Sequence, residues 1–180
     1  PARGGRIVSA TYNGLDVLRP ETGAGAESAL DSACFPLVPF SNRIRHGAFE
    51  FEGHAYRLGS NWDGDAHAIH GTGWWPWAYE CIQEITVGER GIGLALTLRN
   101  TGTTPMPAGL GFHPYFPCTG QTLLRFDASG AYPPMGNGPL AIQALDATNS
   151  FTTLRPVSGT GLDHCYAGWH GPATIIQPET

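Results

Sequence analysis

The chain has 180 residues, a length that suggests one domain able to bury roughly 70% of its unfolded surface without disulfides. Its 15 acidic and 10 basic residues give a formal net charge of −5, and no run of basic residues is present. This charge pattern argues against nucleic acid or an anionic membrane as a partner.

The cysteines and the apolar runs indicate the cellular compartment in which the protein is expected. The 4 cysteines are widely separated and form no Cys-x-x-Cys pair, so neither a thiolate zinc site nor a disulfide framework is indicated. We expect them to be small core residues in a reducing compartment. No apolar run reaches the length of a membrane span and no signal peptide opens the sequence, so a cytoplasmic location is expected.

The predicted elements are β-strands along the whole chain. In chain order, alternating or apolar strand patterns occupy residues 49–58, 80–87, 92–98, 122–128 and 173–177. The segment 92–98 places four branched aliphatic residues on one strand face. Turn signals such as residues 100–105 separate the strands. Many short strands with turns between them predict an all-β, antiparallel sandwich.

No internal repeat or linker interrupts this pattern, so we predict a single domain spanning residues 1–180. The most loop-like stretch is residues 132–139, Tyr-Pro-Pro-Met-Gly-Asn-Gly-Pro. We interpret it as a surface loop rather than a hinge between domains. The oligomeric state stays open.

Residues 111–117, Gly-Phe-His-Pro-Tyr-Phe-Pro, present His113 from an apolar and aromatic setting. Pro114 pushes the residue before it into the extended region and so helps to fix the backbone of His113. An imidazole there can exchange protons near neutral pH. Residues 36–44 and the histidine cluster at 67–71 lie upstream. Three such segments in a small chain predict one site assembled from distant parts.

Six segments together carry a resemblance to a known family: 4–7, 13–20, 42–44, 67–74, 105–117 and 163–168. In this order they resemble the aldose 1-epimerase (galactose mutarotase) family. The resemblance implies a large, distorted antiparallel β-sandwich, which agrees with the strand pattern. It also implies interconversion of the α and β anomers of free hexoses such as galactose or glucose, with no cofactor and no metal.

Mutarotation passes through an open-chain aldehyde. One group must therefore take a proton from the C1 hydroxyl while another gives a proton to the ring oxygen. The resemblance implies that His113 is the general acid at the ring oxygen and that His70 hydrogen-bonds the sugar nearby and supports it.

The resemblance further implies sugar contacts from Arg43, whose planar fork carries several donors, and from the neighbouring Asn42. It makes Asp163 an acceptor for two sugar hydroxyls. His67 is a further candidate for substrate binding. On a regular strand, positions three apart face opposite sides, so at most one of His67 and His70 points into a common pocket unless the backbone bends.

Two other functions stay open. A non-catalytic sugar-binding module of the same fold would keep the sugar contacts and lack the base. A metal-dependent β-sandwich enzyme would use His67, His70 and His113 as a three-histidine zinc site. The aromatic residues that could form a sugar platform are expected mainly in the core or at interfaces: Trp74, Trp75, Trp77 and Tyr115.

The sequence departs from the family pattern in two places. At residues 73–77, Gly-Trp-Trp-Pro-Trp, two family segments normally separated by further strands are joined directly. We therefore expect that an internal segment, with its strands, is missing near residues 74–75. The family's catalytic glutamate belongs to a C-terminal segment, and the surroundings of Glu179 do not match its motif. We assign the general base to no residue of this chain.

Overall fold

The structure is a computed structural model that describes residues 4–22, 28–62, 64–71, 74–134 and 141–178. Within these ranges the regular structure is β-strand, apart from two single 3₁₀ turns at Ala29–Asp31 and Arg45–Gly47. Every pairing between these strands is antiparallel. The predicted all-β, antiparallel class is therefore confirmed.

The chain forms two compact units, Pro1–Phe116 and Pro117–Thr180. The strands described in the first unit are β1 (Ala10–Tyr12), β2 (Leu15–Leu18), β3 (Cys34–Leu37), β4 (Arg43–Ile44), β5 (Ala48–Phe51), β6 (His54–Arg57), β7 (Ala68–Ile69), β8 (Tyr79–Gly88), β9 (Gly91–Asn100) and β10 (Gly111–Pro114). Those described in the second are β11 (Leu123–Asp127), β12 (Gly130–Tyr132), β13 (Arg155–Pro156), β14 (Cys165–Ala167) and β15 (His170–Ile176).

Two small strand pairs of the first unit hold the segments singled out in the sequence. Strand β10 pairs with β3, and this register places His113 opposite Phe35. Strand β4 pairs with β7, and Arg43 lies opposite Ile69, one residue before His70. Both pairs join parts of the chain far apart in sequence, as a site assembled from distant segments requires.

The buried residues of the first unit form two apolar clusters beneath these pairs. One contains Ala33 and Cys34 of the β3 region together with Ala10 and Leu18. The other contains Phe40, Leu58 and Ala68, with Trp75 packed against it. Each full burial of a large apolar side chain stabilises the fold by roughly 1.5–3 kcal/mol, so these clusters anchor both strand pairs.

The tryptophans near the expected junction differ in exposure. Trp75 stacks on Phe49 at 5.6 Å between ring centroids, and Trp77 lies 4.6 Å from the ring of Tyr56. Trp74 is 72% exposed. The prediction that these aromatics are mainly packing residues therefore fits the geometry of Trp75 and Trp77.

Segment 49–58, predicted as one strand, is instead a hairpin of β5 and β6. Glu52 and Gly53 turn the chain with φ angles of 49° and 75°. Two consecutive residues with positive φ form the kind of tight turn that joins antiparallel strands. The alternating pattern was real on both sides of this turn, but the turn divides it.

The longest strands, β8 and β9, have ten residues each and form a hairpin that contains the predicted segments 80–87 and 92–98. In β9, Leu94, Leu96 and Leu98 are half-buried and alternate with exposed residues. In β8, by contrast, the aliphatic residues Ile82, Ile85 and Val87 are all exposed.

In the second unit, β11 lies between β13 and β15. These strands contain most of the predicted segments 122–128 and 173–177. A separate pair joins β12 to β14. The predicted loop at 132–139 falls largely outside the described residues, which end at residue 134 and resume at 141.

The expectation of four core cysteines is wrong for three of them. Cys34 is buried, whereas Cys81, Cys118 and Cys165 are exposed. Cys81 lies on the exposed hairpin strand β8, which explains part of this difference. Among the described residues, no helix is both long and apolar enough to cross a lipid bilayer.

Candidate active site

His113 lies on β10, and its ring stacks on Phe35 of the paired strand. The ring centroids are 4.9 Å apart and the rings are nearly parallel, at 11°. Tyr115, two residues along the same strand face, packs 4.7 Å from the imidazole. A hydrogen bond to its own backbone also acts on the imidazole, which is otherwise held by packing against these two aromatic rings.

His70 is held by the backbone of Asn42. The His70 N–H donates to the Asn42 carbonyl at 3.0 Å, and the Asn42 N–H donates to Nδ1 of the His70 ring at 3.1 Å. Because Nδ1 accepts a hydrogen bond, the neutral ring carries its proton on Nε2. His70 therefore presents an Nε2–H donor on the side of the ring away from Asn42.

This arrangement uses unusual backbone conformations. Asn42 and His70 both have positive φ, at 62° and 55°, and Gly71 follows at 68°. Such conformations destabilise a residue other than glycine by roughly 1–2 kcal/mol, so the surrounding packing holds them in place. Gly71 contributes directly, because a side chain there would overlap the Val38 carbonyl.

The two imidazoles meet at right angles. The rings of His70 and His113 are 5.5 Å apart with an interplanar angle of 87°. Burial lowers the pKa of His70 to about 4, with further lowering by His113 and Arg43. Burial also lowers the pKa of His113. At neutral pH both rings are therefore mainly neutral donor–acceptor groups, and protonated His113 is a stronger acid than a free imidazolium.

The lowered pKa of His70 predicts a pH-dependent stability. Between about pH 6.5 and about pH 4 the unfolded chain binds the proton and the folded chain does not, so the free energy of unfolding falls as the pH falls through this range. Urea unfolding at a series of pH values measures this. In His70→Gln the decrease should be smaller, because glutamine binds no proton there. Equal pH dependence in both proteins would contradict the prediction.

Arg43 is the first residue of β4. It pairs with Ile69 of β7, the residue that precedes His70. Its side chain is 35% exposed, and its Nε lies 3.3 Å from Oδ2 of Asp65. The other oxygen, Oδ1, accepts the backbone N–H of His67 at 2.8 Å. Burial raises the pKa of Asp65, but the bonds from His67 and Arg43 outweigh this effect and hold the pKa below its usual range.

His67 does not join the ring pair formed by His70 and His113. Its Nδ1 accepts the backbone N–H of His46 at 2.9 Å, and the two rings are 5.2 Å apart. The buried residues Ala68 and Ile69 separate it from His70 in sequence. A zinc site of three histidines is not formed, and the described residues hold no group of three or more His, Cys, Asp or Glu side chains arranged for a metal ion.

Asp163 belongs to the second unit, where it is exposed and precedes β14. Its convergence with Arg43, His70 and His113 stays a prediction. Glu179 lies outside the described residues.

A cleft of about 450 Å³ opens beside His70 in the first unit. Phe35 and Gly71 line it on the site side, and Tyr79 and Gln83 of β8 line it on another. Its volume suits a small molecule such as a hexose. Among the four residues predicted to converge on one cleft, only His70 lines this one; Arg43 and His113 lie next to it in the β4–β7 and β3–β10 pairs.

Sequence reasoning missed Asp65 and Phe35. Asp65 is one of several carboxylates in a polar stretch, and only the β4–β7 pairing brings it to Arg43. Phe35 lies in an apolar run typical of core residues. A signal for Asp65 existed in its position two residues before His67, a spacing at which an aspartate often accepts a backbone N–H.

The sequence model of the aldose 1-epimerase family matches residues 1–75 and 72–180. The chain belongs to the aldose 1-epimerase family. This confirms the resemblance and the fold implied by it.

Relatives and a solved structure agree with this assignment. The uncharacterized protein YphB of Escherichia coli (strain K12) is 31% identical over 202 residues, covering 98% of this chain and 69% of YphB. The uncharacterized protein YihR of the same strain is 24% identical over 177 residues, covering 79% of this chain and 58% of YihR. The crystal structure of an Escherichia coli K12 protein provisionally assigned as an aldose 1-epimerase superposes with a TM-score of 0.81 at 29% identity, covering 97% of this chain and 68% of that one.

The match to the family model is divided along the chain. It falls into two stretches that overlap only at residues 72–75. The alignment with YphB extends over 202 residues, more than the 180 of this chain, so YphB carries residues within the matched region that this chain lacks. The overlap of the two stretches contains the Trp74–Trp75 junction, where the sequence pattern departs from the family.

Proposed function

We propose that this member of the aldose 1-epimerase family is a mutarotase that interconverts the α and β anomers of free hexoses. The observation that carries the proposal is the perpendicular pair of His70 and His113, 5.5 Å apart, in which the backbone of Asn42 fixes the Nε2–H of His70. One imidazole can donate a hydrogen bond to an oxygen while the other, when protonated, transfers a proton to the same oxygen.

In the proposed reaction, protonated His113 gives its proton to the ring oxygen of the sugar as the bond between C1 and that oxygen breaks. The bonding electrons go to the ring oxygen. A base takes the proton of the C1 hydroxyl, and C1 becomes the aldehyde carbon. Rotation about the C1–C2 bond and the reverse proton transfers close the ring on the other face of C1. No atom is gained or lost, and neither a cofactor nor a metal takes part.

The remaining residues would bind the sugar. The Nε2–H of His70 would donate to the ring oxygen beside His113, and the guanidinium of Arg43 would donate to neighbouring hydroxyls. Asn42 contributes through its backbone, which fixes the His70 ring. His67 and Asp163 are proposed as further sugar contacts on the basis of the family motif. Partial burial of the two imidazoles strengthens their hydrogen bonds relative to water.

The base is the part that the described residues do not supply. Among the described residues of the first unit, no carboxylate is hydrogen-bonded to either imidazole, and Asp65 is engaged by Arg43. This observation favours the second candidate, a non-catalytic module that binds sugar through the same contacts. We further propose that the encoded protein carries additional residues at the Trp74–Trp75 junction.

Polarimetry separates the two candidates. Freshly dissolved α-D-glucose or α-D-galactose should reach its equilibrium rotation faster with the full encoded protein than in buffer, in proportion to protein concentration. A chain of only these 180 residues should not accelerate the change. If the full protein binds the sugar in calorimetry but does not accelerate mutarotation, the binding module is correct and the enzymatic proposal is wrong.

A further inference from the structure

The guanidinium of Arg43, a proposed sugar contact, forms an ion pair with the side chain of Asp65. Its Nε lies 3.3 Å from Oδ2 of Asp65. Among the described residues its two Nη groups have no hydrogen-bond partner. The carboxylate thus occupies one edge of the guanidinium and leaves the other donors free for a ligand.

Asp65 is itself fixed at three points. Its Oδ1 accepts the backbone N–H of His67 at 2.8 Å, and its own N–H donates to the Trp62 carbonyl at 3.2 Å. Its carbonyl accepts the hydroxyl of Ser60 at 2.6 Å. The side chain is 21% exposed. A carboxylate held in this way can impose one orientation on a long arginine side chain that would otherwise sample several rotamers.

The same segment carries His70. Asp65 and His70 are five residues apart, and β7, between them, pairs with the strand of Arg43. The side chain of Asn61 reinforces the segment, because its amide donates to the Ile69 carbonyl and accepts the Ile69 N–H. The ion pair with Arg43 and the position of His70 therefore both depend on the backbone of residues 65–70.

From these contacts we infer that Asp65 is a positioning residue for Arg43, which it holds with its Nη groups directed toward the hydroxyls of a bound aldose. The inference rests on the proposed function for the identity of the ligand. A partly exposed ion pair contributes little to folding stability. The effect of Asp65 should therefore be found in substrate binding rather than in the stability of the fold.

A double-mutant cycle tests this role in the full encoded protein. Asp65→Asn, which keeps the shape and the acceptor for the His67 N–H, should raise KM for the aldose about fivefold to twentyfold and change kcat less than twofold. Asp65→Glu should restore part of the loss. In an Arg43→Ala background, Asp65→Asn should raise KM no further. A rise of the same size in both backgrounds, or no rise in either, would overturn the inference.

A measurement independent of activity separates this inference from the proposed function. In ¹⁵N-labelled protein, the Arg43 Nε–H resonance, assigned with Arg43→Ala, should move and exchange faster with water in Asp65→Asn. Asp16→Asn, at an exposed position of strand β2, is the matched control and should leave the resonance in place. A resonance unchanged by Asp65→Asn would overturn the pairing. If the resonance responds but the parent shows no mutarotase activity, the pairing stands and the proposed function is wrong.

Discussion

Replacing His113 by alanine should lower the mutarotation rate of the full encoded protein by about 10²–10⁴-fold, the range typical of a lost general acid. Without the imidazole, the ring oxygen of the sugar must take its proton from water as the bond to C1 breaks. The loss should appear mainly in kcat, because Arg43 and His70 would still bind the sugar. Polarimetry with α-D-glucose or α-D-galactose measures the rate directly.

The variant should stay folded. The His113 ring is half-buried and packs on Phe35 and Tyr115, so its removal weakens local packing without opening either buried cluster. Circular dichroism and thermal unfolding check this. His54→Ala, at an exposed position of β6, is the matched control and should keep the parent rate. A His113→Ala enzyme with a rate within threefold of the parent would exclude His113 as the acid.

Gly71→Ala should cause the largest loss of stability among single substitutions near the site. Its φ of 68° is strained for alanine, and the added Cβ would overlap the backbone carbonyl of Val38. The strain contributes roughly 1–2 kcal/mol, and the overlap should bring the total to about 3 kcal/mol or more. Urea unfolding of the full encoded protein measures the difference from the parent.

Gly14 provides a control matched in conformation. Its φ is 80°, but a Cβ there would meet no atom within 4 Å. Gly14→Ala should therefore show only the conformational part of the loss. The difference between the two variants in lost free energy of unfolding then gives the contribution of the overlap with Val38. If both variants lose the same free energy of unfolding, the close approach of Gly71 to the 38–39 backbone has no energetic consequence, and the prediction is wrong.

The parts of the fold that followed from sequence are those with long, regular patterns. Strands β8 and β9 were predicted nearly to their ends because each is a long run of strand-forming residues bounded by turn residues. The two-residue strands β4 and β7 were not predicted, because two residues carry no period. Their pairing depends on distant packing. The hairpin at β5 and β6 was missed because Glu52-Gly53 is a less typical turn than Asn-Gly.

In the candidate site, too, some residues were predicted from sequence motifs, whereas a contact that depends on distant strand pairing was not. His113 and His70 were found through their motifs, and the structure brings their rings to 5.5 Å. His67 and His70 lie on either side of the two-residue strand β7, and His70 has a positive φ, so the rule for a regular strand does not decide which way their rings face. The Asp65–Arg43 contact could not be predicted, since it joins positions 22 residues apart through a register that the sequence pattern does not specify.

The bond from the Asn42 amide to His70 makes proton placement a property of the backbone. The tautomer of His70 is set by a peptide group adjacent to Arg43 and not by a mobile side chain or by solvent. Movement of the 42–43 segment would release Nδ1 to protonation and displace the guanidinium at the same time. The proposed hydrogen bond from His70 to the sugar ring oxygen and the proposed contacts of Arg43 with the sugar hydroxyls would then be lost together.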